Sequence, residues 1–232
     1  MRLSTPLICA SGALAATSGS DVEARQSESC AKLHIFGARE WLVPQGFGHE
    51  SVLIEKIQEA YPGATSEAIV YPASPRGDAY PSSVTAGIQA VVDQVTTYAT
   101  QCPDSSIVMV GYSEGSQIMD DAFCGGPDGN SMAETSAPIP TAVGERVKAL
   151  VFMGDPRNIP GAPYNIGSST GGGFAQRPVG YVCPVYADRI RSYCDAEDPY
   201  CSNGNNVRHH EQYVMIYGEH ALAFVREKVG SL

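Results

Sequence analysis

The chain has 232 residues, enough for one α/β domain with a substantial core or at most two small ones. Its 25 acidic and 15 basic side chains leave a net charge of −10, and no basic cluster is present that could hold nucleic acid or an anionic membrane.

In chain order, residues 1–26 read as an export segment. Arg2 gives a short positive start, Leu3 to Ala16 is apolar or small, and Ala-Thr-Ser-Gly-Ser follows as a cleavage region. Pro6 and the small residues interrupt the apolar run, so a membrane anchor is not expected. A second cut after Arg25 would make residues 21–25 a short propeptide. Residues 27–232 are then expected to form a single domain. Within it Lys32 to Phe36 predicts a strand, Ser51 to Tyr61 a helix, and Ala68 to Tyr71 a second strand. Ser82 to Thr100 predicts a helix with Val84, Ile88, Val91, Val92 and Val95 on one face. Ile107 to Val110, Val147 to Met153 and Ile190 to Cys194 predict three more strands, with helices at Ser113 to Phe123 and Ala221 to Val229. Such alternation, without repeats or heptads, predicts a doubly wound five-stranded parallel sheet with helices on both faces, a three-layer sandwich. Ligands bind such sheets beyond the carboxyl ends of the strands. The Gly-rich run 160–173 lacks the phosphate-loop pattern and its lysine, and reads as a surface loop.

Residues 106–115 carry the most information. An apolar β-branched run ends at Gly111-Tyr112-Ser113-Glu114-Gly115, and a helical pattern resumes at once. G-x-S-x-G between a strand and a helix is the context of a nucleophile elbow, whose serine sits on strained backbone while the glycines let strand and helix pass close to it. A serine hydroxyl needs a histidine base, itself oriented by a carboxylate. Both partners are expected downstream, with Asp155, Asp195 and Asp198 as candidate acids and His209, His210 and His220 as candidate bases. Asp155 follows a strand too early, and His220 lies one residue before the predicted final helix. Asp195 or Asp198, with His209 or His210 in a polar loop, remain.

Cys9 falls in the export segment, and Cys30, Cys102, Cys124, Cys183, Cys194 and Cys201 remain. An even number in an exported chain reads as three disulfides, and the spacing does not suit a zinc site. A bridge from Cys194 to Cys201 would close a short loop around Asp198.

Across residues 29–230 the chain resembles the cutinase and acetylxylan esterase family of secreted fungal esterases, small α/β hydrolases without a lid. The resemblance rests on His34-Ile35-Phe36-Gly37-Ala38-Arg39-Glu40, Gly111 to Gly115, Phe152 to Pro156, Arg177 to Pro184, Ser192 to Cys201 and His210-Glu211-Gln212-Tyr213. It implies Asp198 as the acid, since two residues and then a cysteine follow it, and His210 as the base, since it begins H-x-x-Y. It implies bridges from Cys30 to Cys102, Cys124 to Cys183 and Cys194 to Cys201. Asp155 then becomes structural. Two positions depart from the family's pattern: Glu114 stands where glutamine is usual, and Trp41 where a small hydroxyl residue is usual. Their backbone N–H groups are the implied oxyanion hole, and Trp41 and Tyr200 are expected to contact substrate.

The Asp195 to Cys201 loop and the Ala221 to Val225 ending look like the acetylxylan esterase branch. Arg208, His209, Glu211 and Gln212 are expected to make a polar rim, unlike the aliphatic lips that suit a waxy polyester. The expected protein is a secreted, monomeric serine esterase that deacetylates xylan or a related plant polysaccharide and needs no metal or cofactor. The alternatives are a cutinase-like esterase on short acyl chains and a catalytically impaired wall-binding or host-sensed protein.

Overall fold

A computed structural model describes residue 1 and residues 30–126 and 138–232. The chain divides into two compact units, Met1–Cys30 and Ala31–Leu232. The expected export segment and propeptide lie outside the described residues, save Met1. All strands and helices of the described residues belong to the second unit.

The strands are β1 (Leu33–Ala38), β2 (Thr65–Ala68), β3 (Ser106–Tyr112), β4 (Val147–Met153), β5 (Asn165–Ile166) and β6 (Ile190–Tyr193). The helices are α1 (Ser51–Ala60), α2 (Tyr80–Gln101), α3 (Glu114–Cys124), α4 (Thr141–Gly144), α5 (Val207–His210) and α6 (Tyr213–Val229). All six strands are parallel, in the order β2-β1-β3-β4-β6-β5. Period-two alternation divides the core. Ile107 and Met109 pack with α2 and α3 on one face, whereas Val108 and Val110 pack with α1 and α6 on the other. The three-layer sandwich expected from the sequence is therefore present, with six strands in place of five. The sixth is β5, two residues within the Gly-rich segment.

That segment is more than a surface covering. Ser168 donates through both its N–H and O–H to Asp195, at 2.8 and 2.9 Å. The Ser169 N–H donates to the Cys194 carbonyl at 3.1 Å, and the Asn158 amide reaches the Gly171 and Cys201 carbonyls. The run 160–173 thus braces the loop that carries Asp195 and Asp198.

Three further boundaries differ from expectation. β2 covers Thr65–Ala68 rather than Ala68 to Tyr71, because an edge strand pairs through half-exposed polar residues while Ile69 and Tyr71 plug the core just beyond it. α6 begins at Tyr213, eight residues before Ala221, so His220 lies within the helix, with its Nδ1 2.9 Å from the Tyr193 hydroxyl. The opening Tyr213 to Gly218 is rich in aromatic, β-branched and glycine residues that favour helix weakly, and burial of Tyr213 outweighs that preference. His209 and His210 form the end of the one-turn helix α5, started by the Asn206 side chain accepting from the His209 N–H. No helix of the described residues is long and apolar enough to cross a membrane.

Candidate active site

Ser113 occupies the turn between β3 and α3 with φ 53° and ψ −118°, a left-handed conformation that a side chain rarely adopts. Its neighbours explain the two glycines. A Cβ on Gly111 would lie 2.7 Å from Ser116 Cα and N, and one on Gly115 would lie 1.9 Å from the Ala38 carbonyl oxygen. The start of α3 is therefore in backbone contact with the end of β1, just ahead of Trp41. The Ser113 N–H donates to the Met153 carbonyl at 2.8 Å, so the turn hangs on the last residue of β4.

The competing acids and bases sort into two pairs. His210 Nδ1 lies 2.6 Å from Asp198 Oδ2, and His209 Nε2 lies 2.8 Å from Asp195 Oδ2. Asp198 is fully buried, and His210 is 6% exposed, which leaves one edge of its ring open to a cleft. The Tyr112 hydroxyl donates to the His210 carbonyl at 2.6 Å, tying His210 to the residue preceding Ser113. At Gly154 a Cβ would meet His210 Cε1 at 2.6 Å, so the imidazole lies against the turn that follows Met153. Ser113 and His210 thus converge on one dipeptide, Met153-Gly154. The sequence reading foresees neither the Tyr112 hydroxyl nor the Gly154 contact; the glycine after a strand in Gly154-Asp155-Pro156 is the available signal.

Cys194 and Cys201 are bridged across the loop holding Asp198, and Cys124 is bridged to Cys183. Cys30 and Cys102 are also disulfide-bonded. Asp155 is buried in an ionic cluster, with Arg177 Nε 2.8 Å from Asp120 and Arg157 Nε 2.9 Å from Asp121. Burial, and then the charge of Asp120, push the Asp155 carboxyl well above its ordinary range. It braces the turn after β4 by accepting from the Arg157 N–H at 2.9 Å.

The cleft beside His210 has a volume of about 240 Å³ and is lined by Trp41, Leu42, Val43, Tyr112, Tyr200 and Val207, together with Glu40, His49 and Glu211. Its rim is therefore mixed, contrary to the polar rim expected. Of the four polar residues expected there, Glu211 lines the cleft, whereas Arg208, His209 and Gln212 do not. α5 turns Val207 inward and commits His209 to Asp195. Trp41 meets Tyr200 edge-on at 5.3 Å, and Tyr200 in turn lies 4.5 Å from the His210 ring, so an aromatic wall leads to His210. Facing it, His49 is hydrogen-bonded to Glu40. Burial, the largest single influence, raises the Glu40 carboxyl, but the bond from His49, backbone N–H donors and the His49 charge together outweigh it and hold Glu40 below its usual range.

Glu114 turns away from this cleft. Its side chain is fully buried, and among the described residues its carboxyl oxygens have no hydrogen-bond partner of ordinary geometry. Burial pushes its pKa up to about 7, with Ser83 and Arg39 offsetting only part of the shift. The carboxyl is then neutral in mild acid and ionised above neutrality, one residue from Ser113. Glu114→Gln should leave kcat/KM unchanged near pH 5.5 and raise it about fivefold near pH 8.5, where the wild-type charge opposes an anionic transition state. The folded-state pKa exceeds the ordinary 4.5, so the protonated carboxyl is favoured by folding. The wild type should lose about 2.5 kcal/mol relative to the variant as pH rises from 5 to 8. Paired pH–rate and pH–stability profiles check both, and superimposable curves would show that this charge affects neither.

A parallel sheet crossed by helices on both faces, with a strained serine at the end of its central strand, defines an α/β hydrolase. A family model described as Cutinase matches residues 29–229, and the chain belongs to that family. It is 45% identical over 231 residues to an acetylxylan esterase of Hypocrea jecorina, covering 97% of this chain and 76% of that one. It is also 45% identical to cutinase 11 of Verticillium dahliae, covering 97% and 77%. The catalytic core domain of acetyl xylan esterase from Trichoderma reesei superposes with a TM-score of 0.82 at 46% identity, covering 86% of this chain and 99% of that one. The protein is a carboxylic ester hydrolase.

Proposed function

We propose that this chain is a secreted, monomeric serine esterase that removes acetyl groups from xylan or a related plant polysaccharide. The observation that carries the chemistry is the convergence of strained Ser113 and the Asp198–His210 pair on Met153-Gly154. Ser113 Oγ attacks the acetyl carbonyl as His210 Nε2 takes its proton. Asp198 holds the imidazole by its other nitrogen, and the Glu114 and Trp41 N–H groups receive the oxyanion. The imidazolium returns the proton to the departing sugar oxygen. Water, deprotonated by His210, then attacks the acetyl-serine and releases acetate, a sequence that requires no metal or cofactor. Trp41 and Tyr200 form a wall against which a sugar ring can stack. Six disulfide-bonded cysteines support an oxidising, extracellular compartment. Residues 1–26 act as the leader and its short propeptide, and residues 27–232 as a single catalytic domain.

One observation favours a second reading, a cutinase-like esterase on short acyl chains. An apolar groove of about 510 Å³, lined by Val52, Val214, Met215 and Ile216, adjoins the cleft and shares His49 and Glu211 with it. Acetate release from acetylated xylan, set against hydrolysis of butyrate and longer esters, separates the two. Deacetylation is expected to lead in kcat/KM by about a hundredfold, the range that pocket contacts supply. A preference for butyrate with no release from xylan would favour the second reading.

A further inference from the structure

Asp198 uses all its acceptor capacity. Oδ1 accepts the N–H groups of Tyr200 and Cys201, at 2.6 and 3.2 Å. Oδ2 is shared between His210 Nδ1 at 2.6 Å and the Tyr213 hydroxyl at 2.9 Å. The oxygen that faces the base thus has a second, buried donor. That hydroxyl is oriented from behind, because it accepts the N–H of Asp195 at 2.9 Å, which turns its proton toward Asp198. The Cys201 sulfur, 3.3 Å away, belongs to a disulfide and is a far weaker acceptor than a carboxylate.

Residue 195 is itself held firmly. Its Oδ2 pairs with His209, and its Oδ1 accepts from the Tyr217 hydroxyl at 2.8 Å and from Ser168. The His209 ring meets the Tyr213 ring edge-on at 5.8 Å. Two carboxylate–imidazole pairs therefore lie in step, Asp195 with His209 and Asp198 with His210, and Tyr213 connects them.

We propose that Tyr213 is a positioning residue for the reaction: its hydroxyl, fixed by the Asp195–His209 pair behind it, holds the Asp198 carboxylate against His210 and sets the basicity of the imidazole. The inference rests on the reading of Ser113, Asp198 and His210 as the triad. A donor to a carboxylate stabilises and disperses its charge. Without the hydroxyl, the charge of Asp198 concentrates on the bond to His210 and favours the imidazolium. The carboxylate also gains freedom to rotate. Burial, and then the charge of Asp198, hold the Tyr213 phenol far above its usual range, so it remains a donor at every working pH.

Other titratable groups also face the base. Glu40 and His49 do so across the cleft, Glu211 follows it in the chain, and Tyr112 supports it from β3. Glu197 approaches His209 at 3.6 Å. These groups are common to the wild type and a Tyr213 variant, so the difference between the two reports the hydroxyl.

Tyr213→Phe keeps the buried ring and removes the hydroxyl. With 4-nitrophenyl acetate as substrate, kcat should fall about tenfold with KM within about twofold. The acid limb of the kcat/KM profile should move up by about half a unit to one unit. His209→Gln, which loosens the same brace from its outer end, should move the limb in the same direction by less, and it carries the test if the Tyr213 variant does not fold. A wild-type limb in folded Tyr213→Phe, with only a lower Tm, overturns the proposal, because a purely structural tyrosine would not move a titration. Failing that variant, a wild-type profile in His209→Gln overturns it as well. Organophosphate labelling of the wild type separates the two levels: no label at Ser113 means that the triad reading has failed, whereas a labelled Ser113 with an unmoved limb means that only this inference has.

Discussion

Ser113→Ala is expected to remove essentially all ester hydrolysis, a loss on the order of 10⁴-fold or more in kcat, while the protein stays folded. Ser113 has no substitute at the turn: Tyr112 is committed to the His210 carbonyl and Ser116 to the Met153 backbone. Alanine inherits the same φ of 53°, so the strain is neither relieved nor increased, and Tm should change little. An organophosphate should label the wild type at Ser113 alone and leave the variant untouched. Wild-type turnover in the alanine variant would sink the serine mechanism. A wild type that is neither active nor labelled would instead support the impaired, wall-binding alternative.

The central part of the fold was legible because its physics is local. Residues 107–110 form a buried apolar run in a strand that ends in a turn only glycines can flank, and residues 149–153 of β4 have the same character. Val84, Ile88, Val91 and Val95 mark the buried face of α2 at helical spacing, with Val92 at its half-buried margin. What escaped depends on partners distant in sequence. β5 exists because the Gly-rich segment lies against β6, and two residues leave no periodic trace. The start of α6 is set by burial of Tyr213 rather than by helix preference.

The site divides in the same way. Ser113 follows from its turn, whereas choosing between neighbouring aspartates and histidines needed the family's pattern. Asp195 and Asp198 looked like rivals, as did His209 and His210. In the folded protein each carboxylate has its own imidazole, a complementarity that spacing alone does not reveal. The rim was misread for a related reason. Four polar residues close together suggested a polar surface, but a one-turn helix points Val207 into the cleft and His209 away from it.

The two pairs should differ sharply in what their loss does. Asp198→Asn places an amide where four donors converge: two backbone N–H groups, the Tyr213 hydroxyl and His210 Nδ1. An amide has one acceptor oxygen. Its NH₂ group must take the place of Oδ1, against two backbone N–H groups that cannot become acceptors, or of Oδ2, facing both the imidazole and the tyrosine. The second is favoured, and the imidazole is driven to the tautomer that cannot accept the serine proton. The expected loss in kcat is on the order of a thousandfold or more, and His210→Gln, which removes the proposed base, should cost at least as much. Asp195→Asn and His209→Gln leave Asp198 and His210 in contact and should cost about threefold, through the brace alone and less than loss of the Tyr213 hydroxyl. KM on 4-nitrophenyl acetate should change little in all four, since none of these side chains grips the small substrate. Steady-state kinetics on the four variants, each checked for folding by thermal melting, sets their order. If Asp195 and His209 proved the costlier pair, His209 would be the base, and the catalytic carboxylate would be the one that accepts from Ser168 and Tyr217.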